Sequence, residues 1–205
     1  MRSSRRAWLA AAAVVVLAAG CGSDEPESLE GIVRTPPLDV ADVRLPEAGE
    51  GTPVSVAAPE GDLNLVYFGY TSCPDVCPTT LSDISVALGD LPDDLAERVT
   101  VAMTTVDPER DTDEVLTGYL DHFFDQSLAL RTDDPAELAA AADAFGVQFE
   151  VAEHDAGETI YDVSHTAMTY VVDDTGTVVV EWPFGFETES MTSDLTYLLR
   201  RDPPT

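Results

Sequence analysis

The stretch Val66-Tyr67-Phe68-Gly69-Tyr70-Thr71-Ser72-Cys73-Pro74-Asp75-Val76-Cys77-Pro78 constrains the fold more than any other part of the chain. An apolar run ends in glycine and polar residues, two cysteines follow with three residues between them, and a proline opens an amphipathic pattern (Leu81, Ile84, Leu88, Leu91). This order predicts a buried strand, a short loop and a helix. Pro78 suits the first helical position, where its missing N–H is no loss, so Cys77 is expected at or beside the N-cap and Cys73 one loop turn earlier. Both sulfurs then lie near the positive end of a helix dipole, which lowers a thiol pKa and favours the thiolate. The pair reads as a redox couple or a metal clamp. A purely structural disulfide is the bland alternative, but the loop it would close is tiny and chain-entropy stabilisation shrinks with loop size. The spacing also departs from the two-residue gap of C-x-x-C redox motifs.

Around this stretch the pattern alternates between strands and helices. Leu38 to Val56 predicts two short strands about the Gly49-Glu50-Gly51 turn, and Leu63 to Gly69 is nearly continuous in apolar character, as for a central strand covered on both faces. Val99 to Met103 alternates as a strand that Val106-Asp107-Pro108 ends, and Leu116, Tyr119, Leu120 and Phe123 mark a helix. Asp134-Pro135-Ala136-Glu137 resembles a capping box with proline at the first position, and Gly146 closes that helix. Met168–Val172 and Thr177–Glu181 flank Asp173-Asp174-Thr175-Gly176, a hairpin signal, and Met191, Leu195, Leu198 and Leu199 form a last helix. The order predicts an α/β, thioredoxin-like fold: a central mixed sheet, an N-terminal hairpin and helices on both faces.

The N-terminal region reads differently. Arg2, Arg5 and Arg6 precede an apolar run from Ala7 to Ala19, and Gly20-Cys21 follows, which together form an export signal over residues 1–20. The run is shorter than the about 20 residues a membrane span needs. Small residues ending at Cys21 resemble the lipobox of bacterial lipoproteins, with Leu17 one position further from the cysteine than that pattern has it. Cys21 is therefore the expected lipidation site, and ordinary signal cleavage with a leftover thiol is the alternative. Gly22 to Pro37 is acidic and proline-containing, which places a flexible tether over residues 21–37 and one domain over 38–205.

Ten basic residues, all arginine, stand against 39 acidic ones, for a net charge of −29. Such a surface repels nucleic acid and anionic lipid headgroups, so attachment to a membrane falls to the lipid. Most of these carboxylates are a solvated surface that keeps the chain soluble.

Three histidines complete the candidate chemistry. His122 on a helix and His154 in an acidic loop fit surface or packing roles. His165, in Asp162-Val163-Ser164-His165-Thr166, stands immediately before the hairpin strand, and in thioredoxin-like folds the loop entering that strand faces the cysteine loop.

Three motifs in this order resemble the Sco/SenC family of copper chaperones for cytochrome oxidase assembly. They are Phe68-Gly69-Tyr70-Thr71-Ser72-Cys73-Pro74-Asp75-Val76-Cys77-Pro78, Val106-Asp107-Pro108-Glu109-Arg110-Asp111-Thr112, and Ser164-His165-Thr166 running into its strand and turn. The resemblance implies Cys73 and Cys77 as thiolate ligands and as a redox disulfide pair, His165 as third ligand, and Asp75 and Asp107 near the site. It implies copper, as Cu(I) or Cu(II), as the bound ion, and a metal carrier rather than an enzyme, with auxiliary thiol-disulfide exchange. The expected partners are the copper-binding subunit of cytochrome c oxidase, a copper-donor protein, and the membrane through the lipid, with the domain on the extracytoplasmic face. The alternative function is a thiol-disulfide oxidoreductase that reduces the oxidase subunit's cysteines. Two thiolates and an imidazole suit copper independently of the resemblance, and three ligands with an open side permit transfer where a closed set of four favours zinc storage.

Overall fold

A computed structural model of the chain describes residues 28–201. The signal run and Cys21 lie outside them. In chain order the first elements are β1 (Arg44–Pro46), β2 (Pro53–Ser55), β3 (Leu63–Gly69), α1 (Val76–Gly89), α2 (Asp93–Ala96) and β4 (Val99–Thr105). Then come α3 (Asp113–Leu120), β5 (Ser127–Leu130), α4 (Pro135–Phe145), β6 (Phe149–Val151) and β7 (Val163–His165). The chain ends with β8 (Met168–Val172), β9 (Val178–Pro183) and α5 (Thr188–Arg200). No helix among the described residues is long and apolar enough to cross a membrane.

The central sheet has the order β5-β4-β3-β8-β9. β3 pairs in parallel with β4, and β4 with β5, while β8 runs antiparallel to both β3 and β9. All seven residues of β3 are buried, which is why its sequence lacks alternation. On one face Phe68 meets Phe145 of α4 at 5.3 Å, and Phe145 meets Tyr170 at 5.0 Å. On the other, Gly69 faces the Cys77 sulfur of α1, and Thr192 of α5 donates to the Ala87 carbonyl of α1 at 3.0 Å. Helices therefore cover both faces, and β1 with β2 forms the separate N-terminal hairpin.

Local chemistry sets the element ends. The Asp134 carboxylate caps α4 by accepting from the Ala136 N–H at 2.8 Å. Glu137 turns to the Thr132 hydroxyl, so the expected capping box is not closed reciprocally. Gly146, at φ +68°, ends the helix in a Schellman arrangement, with Val147 N–H donating to Ala142 and Gly146 N–H to Asp143. The hairpin turn after β8 is held by Asp173, whose carboxylate accepts from the N–H groups of Thr175 and Thr177.

Residues 28–37 depart from the expected tether. Ile32 exchanges two backbone hydrogen bonds with Glu181 at 2.9 Å, Arg34 pairs with the buried Glu181 carboxylate, and Asp194 accepts from the N–H groups of Glu30 and Gly31. Composition alone misses this because the acidic, proline-containing stretch supplies backbone pairing to the β9 edge rather than apolar bulk. Its direction is antiparallel to β9, with Ile32 opposite Glu181 and Asp39 opposite Thr177. Ser28 thus stands at the Pro183 end of β9, the end at which β8 begins three residues after His165.

Candidate metal centre

The site forms where β3 ends. α1 begins at Val76 rather than at Pro78, with Asp75 as N-cap, so Cys77 is the second helical residue and Pro78 the third. Proline is still tolerated there, because the first N–H groups of a helix have no intrahelical partner. The exposed Asp75 side chain makes no capping bond. Cys73 takes that part instead: its Sγ accepts from the Cys77 N–H at 3.2 Å. Upstream, the Cys73 N–H donates to the Tyr70 carbonyl at 3.3 Å, which curls the loop and brings the two sulfurs to one side.

His165 closes the site from β7. The Cys73, Cys77 and His165 donor atoms all lie within 4.8 Å of one another. His165 Nε2 is 3.3 Å from the Cys77 sulfur, and Nδ1 is 3.1 Å from the Thr166 carbonyl. A carbonyl only accepts, so Nδ1 carries the proton and the Nε2 lone pair faces the sulfurs. Burial holds the imidazole below its ordinary pKa, which keeps it neutral and ready to ligate. The rings of Tyr67 and Tyr70 meet its edge at 5.9 and 5.8 Å.

Both cysteines are free thiols. The helix dipole does not govern Cys77 as its position predicts. The side chain is 0% exposed, and burial, followed by its hydrogen bond with Cys73, pushes the thiol up to about 12. Desolvation outweighs the dipole and the nearby Tyr67 hydroxyl, both of which favour a thiolate. A metal ion bound here would reverse this balance, since a coordinated thiol is deprotonated outright.

Gly69 makes room for the sulfur. A Cβ there would stand 3.1 Å from Cys77 Sγ and 2.7 Å from the Tyr67 ring. A glycine closing a buried strand beside a cysteine loop was the available sequence signal for this role. The turn after β4 braces the loop: the buried Asp111 carboxylate accepts from Thr71 N–H at 3.0 Å and from the Thr71 and Thr105 hydroxyls at 2.5 Å each. Asp107 is also buried, bonded to Arg110 at 2.5 Å and to the Tyr161 hydroxyl at 2.7 Å.

The other histidines stand apart from the donor cluster. His122 Nδ1 turns back onto the Gly118 carbonyl. His154 bridges the Ala152 carbonyl and Glu109 and stacks on Tyr161 at 3.7 Å.

An ion held at about 2.0–2.3 Å from each donor, the range for imidazole and thiolate on zinc, needs donors roughly 4 Å apart. The cluster is within 1 Å or so of that spacing as it stands. Soft sulfur with one nitrogen matches copper in its lower oxidation state, and the nitrogen adds to its hold on Cu(II).

Comparison with known proteins agrees with this geometry. The chain is 36% identical over 116 residues to a SCO2-like protein of Rickettsia prowazekii, an alignment covering 57% of this chain and 56% of that one. It is 33% identical over 126 residues to a putative copper-binding protein of Stutzerimonas stutzeri, covering 62% and 60%. The match thus spans little more than half the length of these curated relatives. Among solved structures, apo Sco1 of Thermus thermophilus superposes with a TM-score of 0.72 at 35% identity, covering 83% of this chain and 97% of that one. Copper-bound ScoI of Bradyrhizobium japonicum gives 0.63 at 33% identity, covering 75% and 94%. The SCO1/SenC family profile matches residues 47–200, the span that carries β3, the cysteine loop and β7, and the chain belongs to that family.

Proposed function

We propose that this chain is a copper metallochaperone that binds one copper ion through Cys73, Cys77 and His165 and delivers it to a copper centre of cytochrome c oxidase during assembly. The observation that carries the reading is the convergence of two free thiols and a neutral imidazole, all donor atoms within 4.8 Å, at the end of a rigid buried strand. The donors differ in access: Cys77 is 0% exposed, whereas Cys73 is 9% exposed and His165 is half-buried. A recipient's ligands therefore meet the ion from the Cys73 and His165 side, and Cys77 is the last donor to let go.

Lipidation of Cys21 holds the domain on the extracytoplasmic face of the cell membrane, where the recipient subunit lies. A second reading, thiol-disulfide exchange with the recipient's cysteines, is favoured by the two free, adjacent thiols. Cys73 is its attacking group, because Cys77 holds its proton too tightly.

Copper stoichiometry tests the main reading. The purified chain is expected to take up one copper with the thiols reduced and none tightly once Cys73 and Cys77 are joined, because a disulfide sulfur is no thiolate donor. Equal uptake by the oxidised protein would place copper elsewhere, on the acidic surface.

A further inference from the structure

His165 rides on a weak element. β7 has three residues and pairs only with the three residues of β6, as a ribbon separate from the central sheet. Two such short strands do not hold themselves together in water. Phe149 of β6 and Val163 of β7 pack, partly buried, against the core, but the connection from Ala152 to Asp162 that feeds β7 gains little from aliphatic burial, since its one large aliphatic side chain, Ile160, is 86% exposed. Polar and ring contacts add to that hold on the imidazole.

Arg110 is placed to supply them. Its side chain is 12% exposed and leaves the turn after β4, which is itself tied to the cysteine loop through Asp111 and to β5 through Arg131, a donor to the Pro108 and Asp111 carbonyls. Nε donates to Asp107 at 2.5 Å, and Nη1 donates to the Tyr161 carbonyl at 3.1 Å and the Thr159 carbonyl at 3.4 Å. The guanidinium lies 3.8 Å over the Tyr161 ring and 5.6 Å over the Tyr70 ring. His154 stacks on Tyr161 at 3.7 Å, and two groups at that height cannot share a face, so Tyr161 is sandwiched between Arg110 and His154. Tyr70 continues the path: its hydroxyl donates to the Val163 carbonyl in β7, and its ring meets His165 edge-on.

We propose that Arg110 is a positioning residue for the metal centre: it clamps Thr159 and Tyr161, and with Tyr70 holds β7 so that His165 Nε2 faces the two sulfurs. This rests on the reading of His165 as a ligand. The task demands arginine, because a planar fork can bond a carboxylate and two carbonyls while stacking on a ring. Lysine's single ammonium cannot reproduce that set.

The test is hydrogen exchange on the reduced, metal-free full chain, followed by Cu(II) electron paramagnetic resonance. Two amides report the β7 ribbon: Ala152 N–H, bonded to Asp162, and Thr166 N–H, bonded to Gln148. In Arg110→Gln both exchange faster by on the order of tenfold, the effect of losing charge-assisted bonds from a locally opening unit. Val106 N–H, bonded to the Gly69 carbonyl just past the end of β4, keeps its wild-type rate. The imidazole nitrogen hyperfine on Cu(II) weakens in the variant, Cu(I) binding persists, and Arg110→Lys rescues neither signal. Wild-type exchange at Ala152 and Thr166, equal acceleration at Val106, or full rescue by lysine would each overturn the proposal. Should Arg110→Gln fail to fold, Tyr161→Leu, which removes the sandwiched ring, is expected to give the same amide pattern, and unchanged rates there overturn it as well. If wild-type Cu(II) shows no imidazole nitrogen, the ligand reading falls while the exchange rates still decide the clamp.

Discussion

Gly69→Ala tests whether the space beside Cys77 is as tightly shared as the structure has it. The new methyl would stand 2.7 Å from Tyr67 Cε1, 3.1 Å from Cys77 Sγ and 3.2 Å from Met103 Cε. Met103 can swing its terminal methyl aside, but Tyr67 is a fully buried ring and Cys77 is fixed to the first turn of α1. Overpacking of this kind costs roughly 1–3 kcal/mol. The lost chain freedom of the unfolded state returns about 0.4–1 kcal/mol, leaving a net loss of about 1–2 kcal/mol. With a urea slope of about 1–3 kcal/mol per molar, the unfolding midpoint falls by roughly 0.3–2 M at unchanged slope. Because the sulfur is pushed off its place, copper affinity falls by about tenfold or more, a loss of about 1.4 kcal/mol. Gly118→Ala is the control: nothing lies within 4 Å of its Cβ inside α3, so it should stabilise by up to about 1 kcal/mol and leave copper alone. Wild-type stability together with wild-type copper affinity in Gly69→Ala would refute the packing argument.

Replacing His165 by Ala separates the two functional readings: Cu(II) affinity should fall by orders of magnitude and Cu(I) affinity far less, with thiol exchange preserved, and competition titrations with a thiol assay check this. Normal oxidase assembly in His165→Ala cells, with failure in Cys73→Ser or Cys77→Ser cells, would favour the reductase. The metal-free domain should lose stability at both ends of the pH range, which urea midpoints measured against pH would show. The raised Cys77 pKa contributes stability present in full below about 9, the ordinary thiol value, and lost as pH rises through about 12. The lowered His165 pKa contributes stability present above 6.5 and lost as pH falls through its folded value. Cys21→Ala should abolish partition of the expressed protein with membranes; unchanged retention on fractionation would remove the lipid anchor.

The sequence discloses most where one local rule decides the outcome. β3 is a continuous apolar run bounded by glycine, α4 carries proline at its start and glycine at its end, and the β8–β9 hairpin has its own turn residues, so each is legible from a few neighbouring positions. β5, β6 and β7 are not, being three or four residues long and paired with partners distant in sequence. The ordered course of residues 28–37 escaped for the same reason, since its partners Glu181 and Asp194 lie about 150 residues away. At the site, the identities of Cys73, Cys77 and His165 were readable but their protonation was not. Helix position argues for a lowered Cys77 pKa, and only the packing around it, which leaves 0% exposure, reverses the sign.

That reversal bears on how the pair stays reduced. A fully buried, protonated Cys77 is a poor nucleophile, and its partner Cys73 is the only sulfur of the pair with any surface. The burial that slows adventitious oxidation would not by itself prevent metal binding, because a coordinated ion would take the place of the thiol proton. Uptake must therefore expel that proton, so affinity rises with pH by about tenfold per unit for each proton released. Neutral His165 stands with Nε2 3.3 Å from the Cys77 sulfur, yet its lowered pKa makes it too weak a base to draw a proton from a thiol whose pKa is raised to about 12. The Cys77 proton would therefore be given up only as a bound ion itself acidifies the thiol, with the imidazole contributing its lone pair as a ligand and not as a base.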